Sequence, residues 1–228
     1  MTVVNAAHHA TRVDGSIPDL GDPDKSRVFT NDKGWTISLS DGFVVTAAAR
    51  LETCDGDQVE VELPFGPFPE YWTAQDKNSV NFGSVDLPEG TYCKLIVEYG
   101  RYQKSVADEA FDTPFPVKNL ERVEGRTIYL AGYADRPDGM GGYVTKNFGF
   151  YSDQTVQVAL DISKINLVGG PFQITGDEVA TPNITVLKAY DAFFQGIDFD
   201  ALDEAAVNER LPAILTASTG IVQGTAVH

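Results

Sequence analysis

From Trp35 onward the chain alternates apolar and polar residues with a period of two, and this constrains the fold more than any other feature. Trp35, Ile37 and Leu39 take turns with Thr36, Ser38 and Ser40. Successive side chains of a strand point to opposite faces, so a period of two marks a strand with one face buried. Asp41-Gly42 reads as a turn, after which Phe43, Val45, Ala47, Ala49 and Leu51 resume the alternation, and the whole predicts a β-hairpin. Val59, Val61 and Leu63 alternate with Gln58, Glu60 and Glu62. Pro88-Glu89-Gly90 then leads into a strand in which Cys93, Leu95, Val97 and Tyr99 share the apolar side. Residues 126–133, 142–151 and 156–165 read as further strands, the first two separated by the turn signal Pro137-Asp138-Gly139. Ile184, Val186 and Lys188 carry a weaker version of the pattern. The expected class is all-β, an antiparallel β-sandwich or open barrel.

One segment breaks the alternation. Asp200 to Leu211 is rich in helix formers and predicts one short C-terminal helix. Leu202, Ala205 and Ala206 fall on one face, with Val207 and Leu211 off it. Asp200 is placed to cap the N-terminus, and Pro212 to end the helix. At the other end, residues 1–26 are mostly polar and become rich in Asp, Gly and Pro between Asp14 and Asp24, which reads as an N-terminal arm or long loop. Residues 27–228 then form a single β-sandwich domain, and 228 residues suffice for one sizeable core.

The formal net charge is −16, from 17 Lys+Arg against 33 Asp+Glu. That excludes nucleic acid as a partner, because phosphates need a cationic surface, and it opposes docking on anionic membranes. It is compatible with cations. No apolar run approaches the ~20 residues of a membrane-spanning helix.

The two cysteines, Cys54 and Cys93, are too far apart for a CxxC motif, and two thiols do not complete a tetrahedral zinc site. The expected state is a Cys54–Cys93 disulfide closing a loop of about 40 residues. The alternative is two buried free thiols packed as small apolar groups. A disulfide implies an oxidising compartment: periplasm, cell surface or secreted.

Catalytic signatures are missing: there is no GxSxG, no P-loop and no Rossmann glycine pattern. The three histidines, His8, His9 and His228, stand near the ends. The chain is therefore read as a binding protein and not an enzyme. His8 and His9 are the candidate metal ligands, and imidazole suits copper, zinc or nickel; the alternative is a polar arm with no ligand. Adjacent side chains of an extended arm point apart, so one ion takes both only where the arm bends. Asp19, Asp22 and Asp24 offer carboxylates at short spacing for calcium, outside the EF-hand pattern; the alternative is a solvated loop. Leu63 to Trp72 is dense in aromatics and prolines and reads as a loop, either a binding surface or a cap over one end of the core.

Three stretches carry a family resemblance: Val28-Phe29-Thr30-Asn31-Asp32-Lys33-Gly34-Trp35-Thr36 with the hairpin after it, Leu87-Pro88-Glu89-Gly90-Thr91-Tyr92-Cys93, and Tyr190-Asp191-Ala192-Phe193-Phe194-Gln195-Gly196-Ile197-Asp198-Phe199. Together they resemble a family of bacterial extracytoplasmic β-proteins that includes the surface-associated copper-binding proteins of methanotrophs, the MopE and CorA group. The resemblance implies an extracytoplasmic β-fold and copper held by histidines and a tryptophan oxidised to kynurenine. This sequence departs from that pattern, since no histidine lies between residues 10 and 227 and neither Trp35 nor Trp72 has one nearby. Imidazole can come only from His8, His9 or His228. The sequence thus predicts a secreted or cell-surface protein that binds copper or another metal ion. The alternative is a structural or adhesive surface protein that self-associates through its arm, adding a strand to a neighbouring sheet edge.

Overall fold

The computed structural model describes residues 2–11, 27–64, 66–71, 80–103, 120–165, 170–176 and 183–223. Two sheets pack face to face as a sandwich and do not close into a barrel. The larger is built on β3 (Thr36–Thr53), which pairs with β8 (Ile128–Pro137) through residues 36–44 and with β7 (Gly90–Tyr99) through residues 46–53; β9 (Tyr143–Ser152) pairs with β8, and β10 (Val156–Asp161) with β7. The short strands β2 (Arg27–Thr30), β4 (Gln58–Glu60) and β5 (Phe68–Tyr71) also pair with β3, and β11 (Phe172–Ile174) pairs with β7. The smaller sheet has the order β13 (Thr219–Gln223), β12 (Asn183–Ala189), β1 (Thr2–Thr11), β6 (Val80–Leu87). Both contribute to one core: Ile37, Leu39, Leu51, Val97, Leu130 and Phe150 from the larger sheet meet Phe82, Leu87, Ile184 and Val186 from the smaller.

The alternation at Trp35, Ile37 and Leu39 is a buried face, as its period predicts. The turn expected at Asp41-Gly42 does not form. β3 runs straight through both residues, Asp41 opposite Ala131 and Gly42 opposite Leu130, with a bulge at Ser40. A two-residue hairpin of the favoured type needs positive φ at both central residues, and Gly42 is not among the positive-φ glycines. Pairing along the strand overrides the local turn preference. A second bulge, at Ala47, lets β3 pass from partner β8 to partner β7.

The proline-rich stretch read as a loop is partly a strand. Phe68–Tyr71 pairs antiparallel with Phe43–Thr46, and Phe68 and Glu70 are buried. Pro69 is tolerated because β5 pairs with β3 alone among the described strands, so the missing N–H breaks no second ladder. Phe65 and Trp72 lie outside the described residues.

The C-terminal helix, α1, spans Glu204–Ser218 and begins later than its composition predicts. Asp200 belongs to a preceding 3-10 turn, Phe199–Ala201; the cap is Asp203, whose side chain accepts from the Ala206 N–H. The buried stripe is Val207, Leu211 and Leu215, spaced by four, whereas Ala205 and Ala206 are exposed. Pro212 lies inside the helix. Leu211 and Leu215, both fully buried, flank it, and this packing holds the turn that the proline would otherwise open. Asp203→Ala is expected to lower stability by about 1 kcal/mol. The check is the urea midpoint at constant slope, and an unchanged midpoint would remove Asp203 as the cap.

Within the segment expected to be an arm, residues 2–11 form β1, flanked on both edges. It runs parallel to β12, from Asn5 opposite Asn183 to Thr11 opposite Ala189, and antiparallel to β6, from Thr2 opposite Leu87 to His8 opposite Val80. The sequence TVVNAAHHAT holds no glycine, proline, acid, lysine or arginine, so no backbone breaker or charge opposes an extended central position. Residues 12–26 lie outside the described residues.

Candidate functional site

Three places gather the chemistry-bearing residues. The first is the disulfide. Cys54 and Cys93 are bonded, with Cα atoms 4.9 Å apart and a sequence separation of 39. Cys93 is not at the core-facing position its alternation predicts. Glu52 opposes Lys94 and Thr53 opposes Tyr92, so Cys93 is the extra residue of a bulge, half-buried, facing the exposed Cys54 just past the end of β3. The bulge resolves a parity conflict, because Cys54 is off the alternation of Leu51.

The second is a polar cluster closed inside the sandwich. Lys188 of β12 donates from Nζ to Glu70 Oε2 of β5 at 2.6 Å. Thr46 Oγ1 of β3 donates to Glu70 Oε1 at 2.7 Å. The ammonium also stands 5.2 Å from the centre of the Tyr99 ring of β7. Lys188 and Glu70 are each 1% exposed, and Thr46 and Tyr99 are 0% exposed. Burial is the largest single influence and pushes the Lys188 ammonium down, but the charge and hydrogen bond of Glu70 together with Tyr99 outweigh it and leave its pKa raised. The pair joins the two sheets. Both charged groups are buried, so each is neutralised in place by the other. The available signal was Lys188 itself, a lysine at an inward parity beside Ile184 and Val186, which requires a buried anion as partner.

The third surrounds Trp35, which is fully buried. Asn31 organises the turn before it. Its Oδ1 accepts from the N–H groups of Lys33 and Trp35, and its Nδ2 donates to the carbonyls of Phe194 and Ile197, at 3.1 and 2.8 Å. Asp32 adds to this, accepting from the Gly196 N–H at 2.6 Å. The turn at residues 31–35 is thereby fastened to residues 194–197, which brings together two of the stretches that carry the resemblance. Trp35 Nε1 donates to Asp198 Oδ1 at 3.1 Å, its ring meets Phe199 edge-on at 5.5 Å, and the Arg136 guanidinium lies over it at 4.6 Å. Arg136 is ion-paired to Asp200, and Lys146 reaches the other oxygen of Asp200 at 3.5 Å. The Asp200 N–H and then the Trp35 indole N–H hold the Asp198 carboxyl below the usual range. The Asp198 and Asp200 carboxylates are thus engaged by the indole and by two cations respectively, an arrangement that anchors an aromatic.

Among the described residues, no group of three or more His, Cys, Asp or Glu is placed to hold a metal ion. The backbone of His8 and His9 lies in β1, opposite Val186 and Leu187 of β12. The calcium candidates Asp19, Asp22 and Asp24, together with Trp72 and His228, lie outside the described residues. Among the described residues no helix is long and apolar enough to cross a membrane.

No family model and no curated protein matches the sequence. Among solved structures, MbnP from Methylosinus trichosporium is similar over 99% of this chain and 98% of its own, with a TM-score of 0.48 and 9% identity. This is a distant likeness, and it lends nothing to membership of the MopE and CorA group.

Proposed function

We propose that the protein is an extracytoplasmic binding protein, without catalytic activity, whose ligand is a metal ion with copper first. The Cys54–Cys93 bond carries the compartment, since structural disulfides persist in oxidising surroundings. The ligand reading rests on the chain's three histidines, of which His8 and His9 sit side by side on β1, a strand flanked on both edges. Imidazole is the side chain here best suited to copper. Adjacent positions of an extended strand fall on opposite faces, so one ion takes one of the two, and its further ligands come from solvent or from residues elsewhere in the chain. Calcium at Asp19, Asp22 and Asp24 is the oxygen-ligand alternative.

Copper and calcium titrations of the wild type and of His8→Ala/His9→Ala separate these. If the β1 histidines hold copper, the double variant loses copper affinity at least tenfold. Wild-type affinity should also fall as pH drops through ~6.5, where imidazole protonates and ceases to ligate. Calcium held by carboxylates would survive the double change and fade only near pH ~4. Copper affinity unchanged in the variant removes β1 as the ligand source, and no binding of either ion by the wild type removes the metal reading.

A further inference from the structure

We propose that the outer face of β2, β3, β8 and β9 binds an uncharged oligosaccharide in extended form, at a site separate from the histidines of β1, which belongs to the other sheet. Among the described residues the large apolar side chains left exposed are Val28, Tyr133, Met140, Tyr143 and Tyr151. Four of them share this face. The register of β8 and β9 sets Tyr129 opposite Tyr151, Ala131 opposite Gly149, Tyr133 opposite Asn147 and Asp135 opposite Thr145. These side chains point away from the main core, to which the alternate positions Leu130 and Phe150 contribute. Val28 joins the face through Ser38, which pairs with both Val28 and Tyr133. Met140 stands in the turn that joins β8 to β9. Exposed apolar side chains gathered on one face mark a binding surface.

The layout of the face selects the ligand. Tyr143 and Tyr151 stand at the two ends of β9, about 26 Å apart at ~3.3 Å per residue, and Tyr133 is level with their midpoint, Asn147. Three phenol rings thus follow one another along the strand direction at intervals longer than one sugar ring. Polar or small rows lie between them. Asp135 and Thr145, hydrogen-bonded at 2.5 Å, part Tyr133 from Tyr143. Ala131 and Gly149 leave a trough between Tyr133 and Tyr151, and a Cβ on Gly149 would meet nothing within 4 Å. A protein partner needs a continuous apolar centre, which these rows interrupt. A saccharide carries both surfaces: C–H faces for the rings, and hydroxyls for Asp135, Thr145 and Asn147. The charges on the face balance. Asp41 pairs with Arg122 at 4.0 Å, and Arg126, 4.3 Å from the Tyr151 ring and 5.3 Å from that of Tyr129, offsets Asp135. In a chain of net charge −16, a face without excess charge of either sign suits a neutral ligand. Arg126 also holds the Tyr151 ring in place, which reduces the ordering that binding requires.

Calorimetric titration of the whole chain with cellohexaose and with chitohexaose, in the presence of a chelator so that metal plays no part, tests this. Binding of at least one of the two is expected. Tyr133→Ala and Tyr143→Ala should each weaken it by about tenfold, and the double change should abolish it. Tyr133→Phe should keep most of the affinity, since the ring face and not the hydroxyl makes the contact. Tyr133 and Tyr143 are exposed, so the variants are expected to keep the wild-type urea midpoint. No binding of either hexasaccharide by the wild type at millimolar concentration overturns the proposal, as does binding that the double tyrosine change leaves intact. Displacement of the bound sugar by heparin would overturn the assignment of a neutral ligand. If light scattering finds the wild type dimeric and the Tyr133→Ala/Tyr143→Ala variant monomeric, a second copy covers the face and the proposal falls.

Discussion

Lys188→Met is expected to destabilise the protein by about 3–5 kcal/mol, because it leaves the Glu70 carboxylate buried without its cation. Glu70→Leu should cost a similar amount by stranding the ammonium. Both residues are 1% exposed and 2.6 Å apart, so neither finds water as a substitute partner. The double change Lys188→Met/Glu70→Leu should recover most of the loss, since removing both charges removes the desolvation cost that their attraction offsets. Thr46 then loses its acceptor, which keeps the recovery incomplete. Urea midpoints of the four proteins form a double-mutant cycle, and additive losses would show that the pair does not act as a unit. The pH dependence has a definite sign. Lys188 has a raised folded-state pKa, so its contribution is fully present below the ordinary lysine value of ~10.4 and is lost as pH rises through the higher folded value. Wild type should therefore lose stability in strong alkali more steeply than the double variant does.

Reduction of the Cys54–Cys93 bond should cost about 4 kcal/mol. The bonded cysteines have a sequence separation of 39, and the chain-entropy relation gives about that value for a loop of this length. Cys54 is exposed and lies in a turn, so Cys54→Ser/Cys93→Ser adds little loss of packing to the entropic effect. The variant's urea midpoint should match that of reduced wild type. Agreement between the two would place the stabilisation in the cross-link, and a much larger loss in the variant would place it in packing around Cys93.

The pairing of the cysteines was legible from the sequence for a simple reason: there are two, and each lies in or beside a readable strand. Their geometry was not. Alternation put Cys93 on the core side, and a bulge opposite Glu52 and Thr53 turned it aside to meet Cys54. Bulges leave almost no trace in a local pattern, because they add one residue to a strand whose partner lies far away in the sequence. The same limit applies to the C-terminal helix. Its existence followed from composition, but its stripe of Val207, Leu211 and Leu215 was set by which side of the helix met the phenylalanines of β9, not by the alanines that define its propensity.

Of the candidate site residues, His8 and His9 were visible as the scarce imidazoles of the chain, while the interior charge cluster and the Trp35 anchor were not. Lys188 and Glu70 are 118 residues apart, and Asn31 reaches across 163 and 166 residues to the carbonyls it binds. Such contacts depend on which sheet faces which, and no window of sequence contains both partners.

By itself, then, the sequence determined the strands β3, β4, β7 to β10 and β12, the all-β class, the helix and the cross-link, because a period of two, a run of helix formers and a pair of lone thiols are properties of neighbouring residues or of a bare count. Tertiary structure alone decided that Asp41-Gly42 continues a strand instead of turning, that a proline-bearing stretch supplies β5 and its buried glutamate, and that TVVNAAHHAT lies between β12 and β6. In each of these cases backbone hydrogen bonds to distant strands outweighed local preferences that differ by about 1 kcal/mol or less.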